Sequence, residues 1–425
     1  MKVVYRDILS KINPWLPDPQ IILIKGARRA GKTTLLKIIE KNLAKNKAPT
    51  KYISVDQHMY EPFWKSLDSF EMYLKTELEF PARKRLYLFL DEVQYLDDPG
   101  LFLKTLYDKY VKEIKLIVTG SSSLELLKTR EFLPGRKVEF TLERFSFLEF
   151  CRTTFMERKQ EMRFSEENWD DLTVFYKTFK TRLEGAFLEY ITWGGYPEVV
   201  LQNQRGKKLQ LLESILNTYL EKDVSSFFNI SNISGYNNLV QLLTSQIGQL
   251  VNKKEISSTL GLHYNTVNTY LDILSGTFMF DFVRPFFTNI RKELSKMPKV
   301  YVRDLGIVRY ALSKNFMKYE LIDGHLVENF VYRHLLEDYA PGDIHFYRTR
   351  GGTEVDFVLG RRGAAVIEVK FSKRISKIPR SVKRFLENYG NNVNRIVIVT
   401  MDKLAKEGDV YYVPGPLFPF FKFSA

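Results

Sequence analysis

QIILIKGARRAGKTT, residues Gln20 to Thr34, decides the reading of this chain. The apolar run Ile21, Ile22, Leu23, Ile24 predicts a buried strand that stops at Gly26. Gly31-Lys32-Thr33-Thr34 then opens a segment in which Leu35, Leu36, Ile38, Ile39 and Leu43 recur at helical spacing. A glycine, four residues, then Gly-Lys-Thr is the phosphate-binding loop pattern. Here it runs from Gly26 through Ala27, Arg28, Arg29 and Ala30 to Gly31, Lys32, Thr33 and Thr34. Glycines let the backbone curl until successive N–H groups point inward at an anion. The N-terminal dipole of the new helix faces the same phosphates. Lys32 would reach the β- and γ-phosphates, and Thr33 would give its hydroxyl to a magnesium ion. A plain glycine-containing turn is the alternative, and the strand before and helix after argue against it.

The next segments complete a nucleotide site. Lys51 to Val55 (KYISV) reads as a second strand, and residues 61–80 carry helical spacing. Arg85 to Asp91 (RLYLFLD) is an apolar strand that delivers Asp91 and Glu92 at its C-terminal end. Asp91 would hold the hydrated magnesium and Glu92 would polarise the attacking water. A helix over Leu101 to Val111 precedes the strand Ile114 to Thr119, which runs into Gly120-Ser121-Ser122-Ser123. A hydroxyl there could sense the γ-phosphate, and both Thr119 and Ser121 fit. Before the first strand, Pro14, Pro17 and Pro19 predict a non-helical lead-in. The expected fold is α/β, a parallel sheet with helices on both faces, binding ATP with Mg²⁺.

Composition bounds the rest. At 425 residues the chain is too long for one core, so two to four domains are expected. Hydrophobic residues at 44% with 14% aromatics indicate a globular chain. The single cysteine, Cys151, excludes an internal disulfide framework and a cysteine-based zinc site. The five histidines show no ligand spacing and read as packing or surface residues. No window has the length and apolarity of a signal peptide or a membrane span, so a cytoplasmic protein with no membrane partner is expected. The net charge of +14 points to an acidic partner, with DNA the first candidate.

GARRAGKTT, FLDEVQ, VTGSSS and LPGRKVEFTLERFSFLEF together resemble the AAA+ ATPases of archaea and bacteria that carry an extra C-terminal domain. The resemblance implies an ATPase core over residues 1–150. It also implies a homo-oligomer in which Arg136, beside Gly135, is an arginine finger acting in trans on a neighbour's γ-phosphate. The alternative for Arg136 is pairing with a carboxylate in its own chain. Phe145 to Phe150 (FSFLEF) matches the family's "LSFxEF" block, with Arg144 where the family often has proline. Trp193 to Pro197 resembles its "GGxP" break, and Tyr219 to Asp223 another block, which implies a helical lid over residues 151–225.

From 226 the pattern becomes a helix-turn-helix: Lys253 to Leu260, a turn at Gly261, then Tyr264 to Ser275 with Val267, Leu271 and Leu274 facing inward. Thr277 to Pro285 reads as a wing strand, so residues 226–310 are expected to form a winged helix. Tyr264, Asn265, Thr266, Asn268 and Thr269 would be available for bases or phosphates.

Residues 311–425 read as an α/β domain. Helix His325 to Glu337 carries Glu328, and strands Ile344 to Arg348, Glu354 to Leu359 and Ala364 to Lys370 follow. Alternation puts Glu354 and Asp356 on one face of their strand, and Glu368 and Lys370 on one face of theirs. This helix-Glu, strand-Asp, Glu-x-Lys order resembles the PD-(D/E)xK, restriction-endonuclease-like fold. The resemblance implies that Asp356, Glu368 and the supporting Glu328 hold a divalent ion while Lys370 positions the water. Solvent-facing alternation is the rival reading. The tail, Val410 to Ala425, reads as a final strand and an aromatic packing arm. The whole describes a Mg²⁺-dependent ATPase acting on DNA, with a nuclease-like domain and deoxyribonuclease activity in prospect. The rivals are a nucleotide-switched regulator whose last domain binds without cutting, and a remodelling ATPase whose partner is a protein.

Overall fold

The computed structural model describes residues 4–78, 84–120, 133–156, 163–219, 232–312, 322–360, 365–372 and 377–423, together with Ile230, Tyr319 and Ile375. Ser121 to Ser123 and Leu220 to Asp223 lie outside them. The chain divides into two compact units: Tyr5–Arg144 with Gly276–Phe278, and Met1–Val4 with Phe145–Ser275 and Met279–Ala425.

The first unit is built on five parallel strands: β1 (Ile21–Lys25), β2 (Thr50–Ser54), β3 (Leu86–Asp91), β4 (Ile114–Gly120) and β5 (Lys137–Thr141), in the order β2-β3-β4-β1-β5. Alternation along β1 explains how both faces are covered. Ile21 and Leu23 bury with Leu88, Leu90 and Val118 against Phe70, Leu74, Leu103 and Leu106 of helices Leu67–Leu78 and Pro99–Tyr110. Ile22 and Ile24 bury on the other face with Phe89 and Ile117 against Leu35, Leu36 and Ile39 of helix Lys32–Lys45. A strand apolar on both sides belongs inside a parallel sheet. Because β1 lies between β4 and β5, strand order reverses there, and the crevice at the carboxyl ends is where such sheets bind ligands.

Three local expectations are corrected. The lead-in does form helix, Ile8–Ile12 followed by a 3₁₀ turn Asn13–Trp15. Pro14 falls in the first turn, where its missing N–H leaves nothing unmade, and Leu9 and Ile12 join the sheet's core. The 61–80 helix begins only at Leu67, after a 3₁₀ turn Pro62–Trp64. The wing strand shortens to Phe280–Val283 because Phe278 takes a left-handed φ of 59°.

In the second unit, helices Ile233–Ser245, Lys253–Leu260 and Tyr264–Gly276 precede an antiparallel hairpin of β7 (Phe280–Val283) and β8 (Lys299–Val302), numbered after the short β6 (Phe164–Ser165). Gly261 ends the Lys253–Leu260 helix at φ 62°, the left-handed turn glycine permits. Helix Gly324–Leu335 then leads into a six-stranded sheet. Its strands are β9 (Ile344–Arg348), β10 (Glu354–Leu359), β11 (Ala365–Lys370), β12 (Arg395–Thr400), β13 (Ala405–Glu407) and β14 (Val410–Pro414), in the order β13-β14-β12-β11-β10-β9. β9 to β11 are antiparallel, whereas β11–β12 and β12–β14 are parallel.

Helix Trp169–Trp193, assigned to a lid from the sequence, and helix Phe147–Thr154, which straddles the expected boundary at 150, share an aromatic core with the C-terminal elements. Phe330 stands 5.3 Å from Phe147 and 4.7 Å from Phe187, ring to ring, and Phe175 packs on Phe420 at 5.1 Å. The aromatic tail is thus a packing arm, with Leu417, Phe418, Phe420 and Phe421 buried. Asp304 acts as a clamp, its carboxylate accepting from the Gly195 and Gly306 N–H groups. A side chain at Gly194 would meet Asp304 Oδ1 at 1.9 Å, which explains that glycine. Among the described residues, no helix is long and apolar enough to cross a membrane.

Candidate nucleotide-binding site and carboxylate cluster

β1 ends where its backbone must pass hard against its neighbour. A Cβ on Gly26 would lie 2.2 Å from the Leu142 carbonyl oxygen, so only glycine fits. The loop then turns through left-handed Arg29 (φ 59°) and Gly31 (φ 100°) before helix Lys32–Lys45 begins. Lys32 is buried and donates to the Gly26 and Ala27 carbonyls at 3.0 and 3.2 Å, while its Nζ stands 3.8 Å from Glu92 Oε1. Thr34 faces solvent, and Arg28 donates to the Tyr95 hydroxyl.

Asp91 is the hub of the acidic side. The Thr33 hydroxyl donates to its Oδ2 at 2.6 Å, and Thr119, fully buried at the end of β4, donates to its Oδ1. The same Thr119 oxygen accepts the Glu92 N–H at 2.9 Å. Glu92 holds a left-handed φ of 58°, a strained conformation for a side-chain-bearing residue. Of the two candidate sensor hydroxyls, Thr119 joins Asp91 and Glu92, and Ser121 lies outside the described residues. Lys32, Thr33, Asp91, Glu92 and Thr119 therefore converge from the ends of β1, β3 and β4. The adjacent Thr33 hydroxyl and Asp91 carboxylate are a hard oxygen pair, and this donor chemistry fits a hydrated magnesium ion.

Arg136 lies elsewhere. It precedes β5, whose Lys137 is in register with Ile21 and whose Thr141 is in register with Lys25. Arg136 is thus at the amino end of the sheet, the length of β1, roughly 16 Å at ~3.3 Å per residue, from the loop. Its guanidinium makes a two-pronged pair with Asp108 at 2.7 and 3.3 Å.

Several residues here escaped the sequence reading. Tyr52 on β2 donates to Asp91 Oδ2 at 2.8 Å, and burial together with that carboxylate raises its pKa. Arg6 donates to the Ala30 carbonyl at 3.0 Å and pins the loop. Phe278 packs on Ala27 and Ala30, and its carbonyl accepts from buried Arg144 at 2.7 Å. A polar-tipped aromatic on the strand beside the acid was the one local signal, at Tyr52.

In the second unit, Asp356, Glu368 and Lys370 do come together. Glu368 accepts from Lys370 Nζ at 2.6 Å and from the Ser381 hydroxyl at 2.9 Å, and Asp356 Oδ2 accepts the Val369 N–H at 2.8 Å. Glu328 joins them, but not as part of an open oxygen cage. Lys299, 1% exposed, puts its ammonium 2.8 Å from Glu328 Oε1, 2.6 Å from Glu354 Oε1 and 3.7 Å from Asp356 Oδ1. The Tyr301 hydroxyl adds a bond to Glu328 Oε1 at 2.6 Å, and His325 Nδ1 lies 3.4 Å from its Oε2. Burial opposes the Lys299 charge, but the surrounding carboxylates outweigh it and raise its pKa. Burial and the neighbouring Glu328 and Glu368 push Asp356 well above the usual carboxylate range. Among the described residues, no group of three His, Cys, Asp or Glu side chains is arranged to hold a metal ion. A protein ammonium thus stands beside Glu328 and Asp356, two of the three acids expected to hold a divalent ion. The alternation of KVYV puts Lys299 and Tyr301 on one face, but nothing local said what they meet.

In the helix-turn-helix segment, Tyr264, Asn265 and Thr269 are exposed, whereas Asn268 accepts from Lys253 at 2.7 Å. Lys253, Lys254, Tyr264, Arg284 and Lys296 line one cleft of 710 Å³.

A family model described as an AAA domain matches residues 18–151. Two described as domains of unknown function (DUF8612 and DUF4143) match residues 184–318 and 323–418. An uncharacterised protein of Methanocaldococcus jannaschii is 26% identical over 393 residues, covering 90% of this chain and 81% of that protein. One from Haemophilus influenzae is 22% identical over 388 residues, covering 89% and 88%. Among solved structures, a replication initiator DnaA bound to AMPPCP and single-stranded DNA matches at 16% identity and a TM-score of 0.28, covering 65% of this chain and 89% of that chain. That likeness is too slight to bear on function.

Proposed function

We propose that this chain binds ATP with magnesium, hydrolyses it, and couples the cycle to DNA. The observation that carries the reading is the meeting of Lys32, Thr33, Asp91, Glu92 and Thr119 at the carboxyl ends of three parallel strands. Lys32 sets a positive charge against the terminal phosphates, and the loop's N–H groups share it. A magnesium ion held through Thr33 and Asp91 supplies charge neutralisation on the β- and γ-phosphates when bound. Glu92 accepts the proton of the attacking water as its oxygen bonds to the γ-phosphorus and the bridging oxygen departs. Thr119 sets the direction of Glu92 through the N–H it accepts.

Arg136 fits a finger in trans, since it sits at the far end of the sheet from its own loop. The helix pair with its hairpin fits a winged helix, and the exposed Tyr264, Asn265 and Thr269 favour DNA. The order and directions of β9 to β12, with Asp356, Glu368 and Lys370 on adjacent strands, fit a PD-(D/E)xK-like domain.

Phosphate release by the purified chain with MgATP tests the reading. Lys32→Ala is expected to lower the rate about 100-fold, on the scale of losing one preorganised donor. A mutant at the wild-type rate refutes hydrolysis at this site. A rate indifferent to single-stranded, duplex and branched DNA removes DNA as partner and leaves the ATPase standing.

A further inference from the structure

The carboxylate cluster of the second unit has its own cation. Four acids, Glu328, Glu354, Asp356 and Glu368, come from helix Gly324–Leu335 and strands β10 and β11, and each of their oxygens is already engaged. Glu328 Oε1 faces Lys299 and Tyr301, and its Oε2 faces His325. Glu354 divides its oxygens between Lys299 and Arg348. Asp356 faces Lys299 through Oδ1 and the Val369 N–H through Oδ2. Glu368 takes Lys370 and Ser381 on one oxygen and the Asp356 N–H, at 3.3 Å, on the other. The centre of the set is the Lys299 ammonium, within 4 Å of three carboxylates and sealed from solvent.

A divalent ion in a nuclease of this type needs those same oxygens, with water completing its shell. Lys299 delivers a single charge where the ion would bring two, and it brings no water to activate. It is also covalently held. β8 pairs with β7, Leu250 bridges to Lys299, and Gly248 N–H donates to the Val300 carbonyl at 2.8 Å. Gly248 itself lies so close that a Cβ would stand 2.8 Å from His325 Nδ1 and 3.1 Å from Glu328 Oε2. An approaching ion meets a charge of its own sign on a strand held from both sides.

We propose that Lys299 is a tethered cation that takes the place of the divalent ion, so that the C-terminal domain holds no metal and cleaves no phosphodiester while the β7–β8 hairpin is seated. This rests on the nuclease-like reading of the C-terminal domain and not on the ATPase site.

Mn²⁺ titration of the nucleotide-free full chain, followed by calorimetry and by the electron-spin signal of free Mn²⁺, tests it. Wild type shows no site that Asp356→Asn removes. Lys299→Met keeps the stem and deletes the charge, and it gains one Mn²⁺ site per chain at least about tenfold tighter than any in wild type, a gain abolished by adding Asp356→Asn. A wild-type site that Asp356→Asn removes overturns the proposal, as does a folded Lys299→Met chain that gains none. If Lys299→Met does not fold, the wild-type and Asp356→Asn titrations decide alone: an Asp356-dependent site refutes the proposal and its absence upholds it.

Discussion

Replacing Thr119 by valine removes one buried hydroxyl and nothing of the shape around it. That oxygen donates to Asp91 Oδ1 and accepts the Glu92 N–H at 2.9 Å, so the substitution takes away one of the three hydroxyls on Asp91 and the partner of the Glu92 N–H. A hydrogen bond to a charged acceptor is worth about 1.5–3 kcal/mol, and a buried N–H left unmade costs about 1–3 kcal/mol, so a loss of roughly 3–5 kcal/mol is expected. The functional effect is larger than a stability change suggests, because Glu92 is held at φ 58°. A residue with a side chain spends about 1–2 kcal/mol in that conformation, and losing the Thr119 oxygen removes one of its restraints, leaving the Tyr95 N–H on its carbonyl and the Gln94 and Lys32 contacts on its side chain. Glu92 then swings from its station 3.8 Å from Lys32. Loss of a placed base costs on the order of 10²-fold in kcat. The phosphate loop is untouched, so KM for ATP should stay within about threefold. Thr119→Ser retains the hydroxyl and should recover both stability and rate. Urea unfolding and steady-state phosphate release on the three proteins measure these quantities. A Thr119→Val protein with wild-type kcat would show that Glu92 does not depend on this bond, and equal urea midpoints would show that the hydroxyl is not paired as described.

Two further outcomes are expected. Glu139 is pushed up by burial but pulled down more by Lys137 and Lys25, at 2.8 and 2.7 Å, and ends at about 2 against an ordinary 4.5. Its folded value is the lower one, so its stabilisation is full above pH 4.5 and drains away as pH falls toward 2. Partial exposure limits it to about 1 kcal/mol. Glu139→Gln should flatten that part of the stability–pH curve, and parallel acid curves for mutant and wild type would refute the pairing. Arg136→Ala should leave the urea midpoint nearly unchanged, since an exposed pair with Asp108 contributes little. It should cut the ATPase rate on the order of 10³-fold if the guanidinium serves a neighbour. Mixing it with Lys32→Ala should restore activity, since one supplies the loop and the other the arginine; no recovery on mixing argues against trans action.

The first unit was legible because its signals are local. A strand apolar on both faces, a glycine turn, a helix and an acid at a strand end each occupy one short stretch, and parallel pairing brings the ends together. What the stretch could not show is what arrives from far along the chain. Arg6 reaches Ala30 across 24 residues and Arg144 reaches Phe278 across 134. Tyr52 meets Asp91 only because β2 pairs with β3, with Ser54 opposite Asp91. The helices read as a lid carry aromatics at core spacing, and the sequence alone does not say which core. Their partners, Phe330 and Phe420, lie more than a hundred residues on.

The carboxylate cluster separates two things that local pattern reading merges. Alternation correctly grouped Asp356 with Glu354 and Glu368 with Lys370, and the family resemblance offered Glu328. Chemical likeness then suggested a metal. The occupant of the space between them is decided by register, and the register of β8 is enforced by the same charges. Sliding β8 by one residue would set Val300 among three acids and bury the Lys299 ammonium against apolar side chains. Buried charge left unpaired is costly, so every register but the present one is opposed. An apolar residue at position 299 would leave that choice to weaker packing while stranding Glu328, Glu354 and Asp356 against one another. Lys299 therefore sets where the hairpin sits and, by sitting there, decides what the acids hold.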